Sequence, residues 1–274
     1  MTTLLSFALE EGMIDGALVT RMKDDDPLEP QPFIARTREE IETAATSKYC
    51  PVSANSALKE IMNSGGDQRF AVVGLPCHIQ GVRKAERLSS KLRSKVVLHL
   101  GIFCWHTDTF LHTDFILRRY GIRKEDVRQL RYRGRGWPGA MTIQSKNGTM
   151  KEIPLDEYMV WHMLSYLTPR RCRFCSDALA ELADMSFGDA WLPEFRGDGL
   201  GRSIVICRNR LSEDILNKAQ DRRAIEVARS ANDRALLSQK LGLYSKKKAL
   251  WARMDLFGSH LAKPSNTMRS DILD

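Results

Sequence analysis

The sequence predicts an α/β fold: a mixed, largely parallel sheet flanked by helices, with a cysteine-rich loop and a helical C-terminal tail. Three observations carry this. FAVVGL (Phe70 to Leu75) and KVVLHLGIF (Lys95 to Phe103) are unbroken apolar runs of strand length, the pattern of a strand buried on both faces. Each is followed by a helical pattern, His78 to Leu88 and about Thr107 to Tyr120, so strands and helices alternate as in parallel crossover units. Each also ends in a cysteine, Cys77 or Cys104. Right-handed crossovers bring both strand ends to one edge of the sheet, where the two thiols emerge side by side.

The remaining elements follow in order. Leu4 to Ile14 has apolar residues at helical spacing, and Ala17 to Thr20 reads as a short strand. Asp24, Asp25, Asp26, Pro27, Pro30 and Pro32 mark a surface loop, after which Thr37-Arg38-Glu39-Glu40 has the form of a capping box. Arg131 to Gly139 is a loop too rich in glycine and arginine for a core. Asn147-Gly148 between Met141 to Gln144 and Thr149 to Ile153 signals a hairpin. Leu155 to Leu167 reads as a helix delivering the chain to PRRCRFCSDALAELADMSFGDAW (Pro169 to Trp191), which holds a Cys-x-x-Cys pair, a cationic collar and a Gly-Asp turn. SIVIC (Ser203 to Cys207) reads as a further buried strand, and the chain beyond Ser212 as helical and polar. A boundary near residue 228 divides an α/β domain, 1–228, from a helical extension, 229–274.

The 274 residues are 43% hydrophobic, enough for one large or two small domains with a substantial core. No run approaches the roughly 20 apolar residues of a membrane span, and no export signal opens the chain, so a cytoplasmic location is expected. Six cysteines in that setting favour metal, cluster or catalytic use over disulfides. A formal charge of +8 suits an acidic partner, whether nucleic acid, an anionic cofactor or a protein surface. Lys246, Lys247 and Lys248 read as solvent-facing.

Cys172 and Cys175 can grip one metal or cluster but cannot close a four-coordinate site alone. Cys77 and Cys104 are the candidates to complete it; the alternative is two packed thiols plus a redox or zinc pair. Structural zinc sites usually take two local pairs, whereas here two single cysteines leave an α/β core and one pair comes from a loop. That pattern suits a cluster lying beside another cofactor. Cys207 reads as a packed core thiol, and Cys50 has no assigned role.

Seven pieces then stand in a recognisable order: LEEGMIDGALV, SKYCPVSANSAL (Ser47 to Leu58), GLPCHIQG (Gly74 to Gly81), GIFC ending at Cys104, CRFC (Cys172 to Cys175), ADMSFGDAW (Ala183 to Trp191) and GRSIVICR ending at Arg208. With them the chain resembles the coenzyme F420 hydrogenase/dehydrogenase beta-subunit family, over roughly Thr3 to Val227. The resemblance implies an iron-sulfur flavoprotein oxidoreductase: FAD beside one 4Fe-4S cluster, coenzyme F420 as substrate, and a partner redox subunit of a hydrogenase, formate dehydrogenase or related complex. It places the cluster ligands on Cys77, Cys104, Cys172 and Cys175. Flavin contacts fall on Ser47, Lys48, Tyr49, Asn55, Gly74, Pro76, Gly188, Asp189, Arg202 and Ser203; no catalytic side chain is assigned. Lys48 would stabilise a reduced ring or a phosphate, while Arg131, Arg133 and Arg135 would attract the anionic tail of F420. His78 and His106 would tune the cluster from beside its ligands. Family members usually begin upstream, with a Gly-Gly turn cradling a phosphate at the first helix; this chain starts inside that helix, so a missing or partner-supplied wall is expected. Two alternatives remain: a relative serving ferredoxin or an unsaturated ring substrate, and a zinc-stabilised nucleic-acid-binding module. The second lacks aromatics among its basic stretches, and nucleic acid is not an expected partner.

Overall fold

The computed structural model describes residues 1–257 except 196, 198, 231 and 232. The chain opens on α1 (Thr2–Glu10), an antiparallel pair β1 (Gly16–Met22) and β2 (Pro30–Ala35), then α2 (Arg38–Thr43) and α3 (Leu58–Asn63). Two strand–helix units follow: β3 (Phe70–Gly74) into α4 (Pro76–Leu88) and, after α5 (Ser90–Lys95), β4 (Val96–Ile102) into α6 (Phe110–Arg119). A second sheet, β5 (Val127–Arg131), β6 (Ala140–Ser145) and β7 (Met150–Pro154), leads into α7 (Leu155–Met163) and the one-turn α8 (Arg170–Arg173). The chain then rejoins the main sheet as β8 (Met185–Asp189) and β9 (Ser203–Cys207) before α9 (Arg210–Asp221) and the tail helices α10 (Asp233–Leu237), α11 (Lys240–Leu243) and α12 (Leu250–Phe257).

The main sheet has the order β2-β1-β3-β4-β8-β9. Its β1, β3, β4 and β8 run parallel, and β2 and β9 close the edges antiparallel. Both faces are covered, which explains the unbroken apolar runs. On one side Leu4, Leu5 and Phe7 of α1 and Ile215 and Ala219 of α9 meet Ala71, Leu98 and Leu100. On the other, Ile61, Ile79, Val82 and Leu92 meet Phe70, Val72 and Val96, the strand residues alternating by the period of two. A third core, with Ile116, Val127, Leu130, Met141, Ile143 and Tyr158, sits under the smaller sheet.

Local chemistry sets the element ends. The Thr37 hydroxyl accepts from the Glu40 N–H at 3.2 Å and caps α2, but the Glu40 carboxylate accepts from Arg36 N–H, one residue before the cap. Asn209 caps α9 by accepting from the Ser212 N–H at 2.9 Å. Gly121 stops α6 at φ +68°, and Gly148 turns the hairpin at φ +88°, conformations that glycine adopts without a Cβ clash.

Four expectations need correction. Pro30 and Pro32 lie in β2, where an edge strand tolerates residues that cannot donate to a ladder. Arg131 ends β5, and Tyr132 is buried in the third core, so only the stretch beyond them loops away. Gly188-Asp189 is the end of β8, not a turn; short length and the buried polar Ser186 hid this strand from a hydrophobicity reading. SIVIC is an edge strand, and Cys207 is only half-buried. The tail is helical through Phe257, and the rest of the expected extension lies outside the described residues.

One buried polar knot joins β4, α4 and β8. His99, 2% exposed, places Nε2 2.7 Å from Glu86 Oε1 and Nδ1 2.9 Å from Asp184 Oδ2; Arg83 Nη2 donates to Asp184 Oδ1 at 2.9 Å. Burial opposes a charge on His99, but Asp184 and Glu86 outweigh it and raise the imidazole above its ordinary 6.5. Burial likewise opposes ionisation of Asp184, but the hydrogen bonds from His99 outweigh it and lower the carboxyl below 3.8. Stability from the raised imidazole is complete below pH 6.5 and fades as pH climbs through its folded value; stability from Asp184 is complete above pH 3.8 and fades on acidification. His99→Leu leaves buried Glu86 with only a long contact to Arg83, at 3.5 Å, and takes the imidazole from Asp184, which keeps Arg83; it is expected to cost about 3 kcal/mol near pH 6, with the gap narrowing by about pH 9. Urea midpoints at both pH values check this; a pH-independent gap would refute the charged imidazole.

Candidate functional site

The carboxyl ends of β3, β4 and β8 form one edge, and the candidate cysteines gather there. Cys77 occupies the first turn of α4, directly after Pro76, and Cys104 follows β4 by two residues. The Cys104 N–H donates to Ala178 O at 2.9 Å, pinning that strand end to the segment after the Cys-x-x-Cys pair. Cys172 lies in α8, and the Cys175 N–H reaches back to Cys172 O at 3.4 Å. All of these thiols are free.

The cysteines feel one another. Cys77 has an exposed side chain, yet surrounding protein still desolvates its thiol and pushes it upward, with Cys175 and Cys172 adding to the shift. Burial pushes Cys104 up to about 12; nearby Lys246 opposes this, and Cys172, Cys77 and Cys175 reinforce it. Such thiols stay protonated at neutral pH until a metal displaces the proton. Cations surround them: Arg171 acts on Cys77, and Lys246, 2% exposed, donates to Cys172 O at 3.4 Å. Among the described residues the cysteines do not form a group with ligand atoms within 4.8 Å of one another, the spacing suited to a single ion. A cubane cluster spreads its thiolates wider than one zinc does, and soft thiolates with a cationic surround fit such a cluster.

Lys246 and its neighbours correct the solvated reading of that lysine run. Lys246 is buried, Lys247 pairs with Glu181 at 2.5 Å, and Arg253 of α12 donates from Nε to Arg173 O at 2.8 Å. The tail thus closes over the Cys172 loop. Sequence spacing offered no signal for this, because the lysines carry no apolar period of their own.

The candidate flavin residues separate into groups. At the β3–α4 turn, Gly74 has no room for a side chain: a Cβ there would lie 2.7 Å from His78 Cβ. Pro76 is buried in the first turn of α4. Asn55 donates to His78 O at 3.1 Å, and its Oδ1 is buried without a partner, an acceptor available to a ligand donor. His78 is tied to Leu75 N–H through Nδ1 and to Val52 O through Nε2, so it braces the turn with both ring nitrogens.

At the β8–β9 end, Asp189 pairs in register with Ser203, and Gly188 makes room for Phe103, whose Cδ2 would be 2.0 Å from a Cβ. Arg202 donates to Gly201 O at 3.0 Å and lies over the Phe195 ring at 5.8 Å. Arg133 donates to Asp189 Oδ2 at 2.8 Å, and Tyr49 lies near enough to act on its guanidinium electrostatically. Tyr49 also packs edge-on against Tyr132, with centroids 6.0 Å apart. Arg133 is therefore engaged with the protein, while Arg135 lies out toward Glu152 at 3.8 Å. Ser47 is exposed in the loop after α2. Lys48 donates its ammonium protons to the carbonyls of Ala44, Ala45 and Thr46 at 2.5, 3.0 and 3.0 Å, capping the end of α2. Burial lowers Lys48 to about 8. Cys50 lies in the third core, where burial pushes its thiol up to about 11.

Comparison with known proteins gives consistent matches. Two family models described as coenzyme F420 hydrogenase/dehydrogenase, beta subunit, match this chain: the model of the C terminus over residues 67–233 and the model of the N terminus over residues 1–59. The coenzyme F420 hydrogenase subunit beta of Methanosarcina barkeri is 30% identical over 227 residues, 80% of this chain and 70% of that one. The coenzyme F420-dependent sulfite reductase of Methanocaldococcus jannaschii is 27% identical over 83% of this chain but only 35% of its own length. A chain of the F420-reducing [NiFe] hydrogenase complex from Methanosarcina barkeri superposes with TM-score 0.70 at 26% identity, covering 96% of this chain and 88% of the other.

Proposed function

Because the chain belongs to the coenzyme F420 hydrogenase/dehydrogenase beta-subunit family, a family of oxidoreductase subunits, we propose that it is an electron-transfer subunit joining coenzyme F420 to the redox chain of a partner enzyme. In this reading Cys77, Cys104, Cys172 and Cys175 hold one 4Fe-4S cluster, and FAD lies along the same sheet edge against Asn55, Gly74, Pro76, Gly188, Asp189 and Ser203. The supporting observation is the convergence of the cysteines from three separate stretches onto the carboxyl edge of the parallel strands.

A flavin bound there supplies the step that F420 and a cluster cannot make alone, since F420 exchanges a hydride and a cluster passes single electrons. The chain's own groups do the positioning. Lys246 and Arg171 offset negative charge among the thiolates, Asn55 Oδ1 offers an acceptor, and the Arg133–Asp189 pair ties the end of β8 to the segment that follows β5. With a single cluster the chain needs an electron partner, consistent with the complex named for its structural neighbour. Among the described residues no helix is long and apolar enough to cross a membrane.

Anaerobically purified protein, reconstituted with iron, sulfide and FAD, is expected to carry about four iron and four sulfide per chain and to bleach on adding reduced F420. Failure to bind either cofactor would falsify the reading. Bleaching by reduced ferredoxin but not by F420, in matched stopped-flow runs, would move the assignment to a relative with another electron partner.

A further inference from the structure

Three imidazoles surround one buried carboxylate just beyond Cys104. Asp108 Oδ2 lies 2.5 Å from His162 Nδ1 and 3.5 Å from His112 Nδ1, and Oδ1 lies 3.8 Å from His106 Nε2. Asp108 is 1% exposed, and His106, His112 and His162 are buried with it. The rings of His106 and His162 stack, with centroids 4.1 Å apart and planes 19° apart. Among the described residues no lysine or arginine pairs with this carboxylate, although an isolated buried carboxylate is costly. His112 Nε2 is buried without a partner, so this imidazole has bonding capacity to spare beside the group.

We infer that His106, Asp108 and His162 form a binding site for a first-row divalent metal ion, separate from the cysteine site. Their ligand atoms all lie within 4.8 Å of one another. Zinc bonds of about 2.0–2.1 Å would set tetrahedral ligand atoms about 3.3 Å apart, so the 3.8 Å contact of His106 with Asp108 shortens and the 2.5 Å contact of His162 with Asp108 opens as the ion enters. Two imidazoles and one carboxylate are donors that zinc and its neighbours accept, whereas magnesium and calcium prefer oxygen alone. On binding, His106 Nε2 gives up the proton it donates to His162 O at 3.1 Å, and the neutral ring carries its proton on Nδ1 instead, leaving the Nε2 lone pair for the ion. The ion supplies the positive charge that Asp108 lacks. It also staples the loop leaving Cys104 to α7, the helix that feeds the Cys172 loop, and so ties together the two halves of the cysteine site.

The test uses the full chain and ZnCl2, with X-ray absorption separating this site from zinc on thiols. The wild type is expected to bind one zinc more per chain than Asp108→Asn or His162→Gln, with a nitrogen and oxygen shell near about 2.0 Å that both variants lose. Zinc should also raise the wild-type Tm by about 5 °C. Equal zinc content in wild type and folded Asp108→Asn overturns the proposal. Should the variants not fold, the wild type alone decides: a zinc spectrum made only of sulfur at about 2.3 Å, with no rise in Tm, also overturns it.

Discussion

Cys175→Ser is expected to strip the cysteine site of its iron and sulfide while leaving the α/β core folded. Cys175 belongs to none of the buried apolar clusters that hold the sheets, and its thiol makes one weak contact, to Asp177 O at 3.5 Å. Stability should therefore change by less than about 1 kcal/mol. The hydroxyl is shorter and harder than a thiolate and is a poor ligand for iron in a cluster. Iron and sulfide should fall from about four per chain to below one, with unchanged far-ultraviolet circular dichroism. A full complement in Cys175→Ser would sink the four-cysteine assignment. Cys50→Ser provides the contrast: that thiol is packed in the third core, so the variant should keep its iron and lose stability.

The largest expected effect on the fold comes from Gly101→Ala. Gly101 sits in β4 between β3 and β8, and a Cβ there would lie 2.3 Å from Ala180 Cβ, 2.9 Å from Ala183 Cβ and 3.3 Å from Ser186 Cβ. Those are short side chains fixed to backbone, with no flexible end to swing aside. The added methyl must push the 180–183 segment off the sheet, at a cost of about 3 kcal/mol. The same segment lies just past Ala178, which accepts from the Cys104 N–H, so cluster retention should fall together with Tm. If Gly101→Ala matched the wild type in both Tm and iron content, the close packing of this segment on β4 would be wrong.

The sequence made the parallel core legible because burial on both faces leaves a simple mark, an apolar run without alternation. Phe70 to Leu75 and Lys95 to Phe103 carried that mark, and their cysteine ends pointed to the candidate site. Two strands were obscured: the edge strand β2 contains two prolines, which a central strand forbids and an edge strand accepts, and the interior strand β8 is short and carries Ser186 within it. The cysteines could be named because their residue type is their chemistry. The parts that Lys246, Arg133 and Asp108 play in the structure could not be read, since each depends on a partner far away in sequence: Cys172, Asp189 and His162. Lys48 shows the converse, a cation in a promising motif whose protons are taken by the end of its own preceding helix.

The closure of the tail over the Cys172 loop bears on the order of events during synthesis. The main sheet is complete once β9 has left the ribosome, but Lys246 and Arg253, which fasten that loop, emerge only later. Since domains begin to fold while the chain is still growing, the nascent protein passes through an interval in which the cysteines are gathered and the loop is unlatched. Under the proposed function, iron and sulfide would load in that interval, and the arrival of the tail would end it.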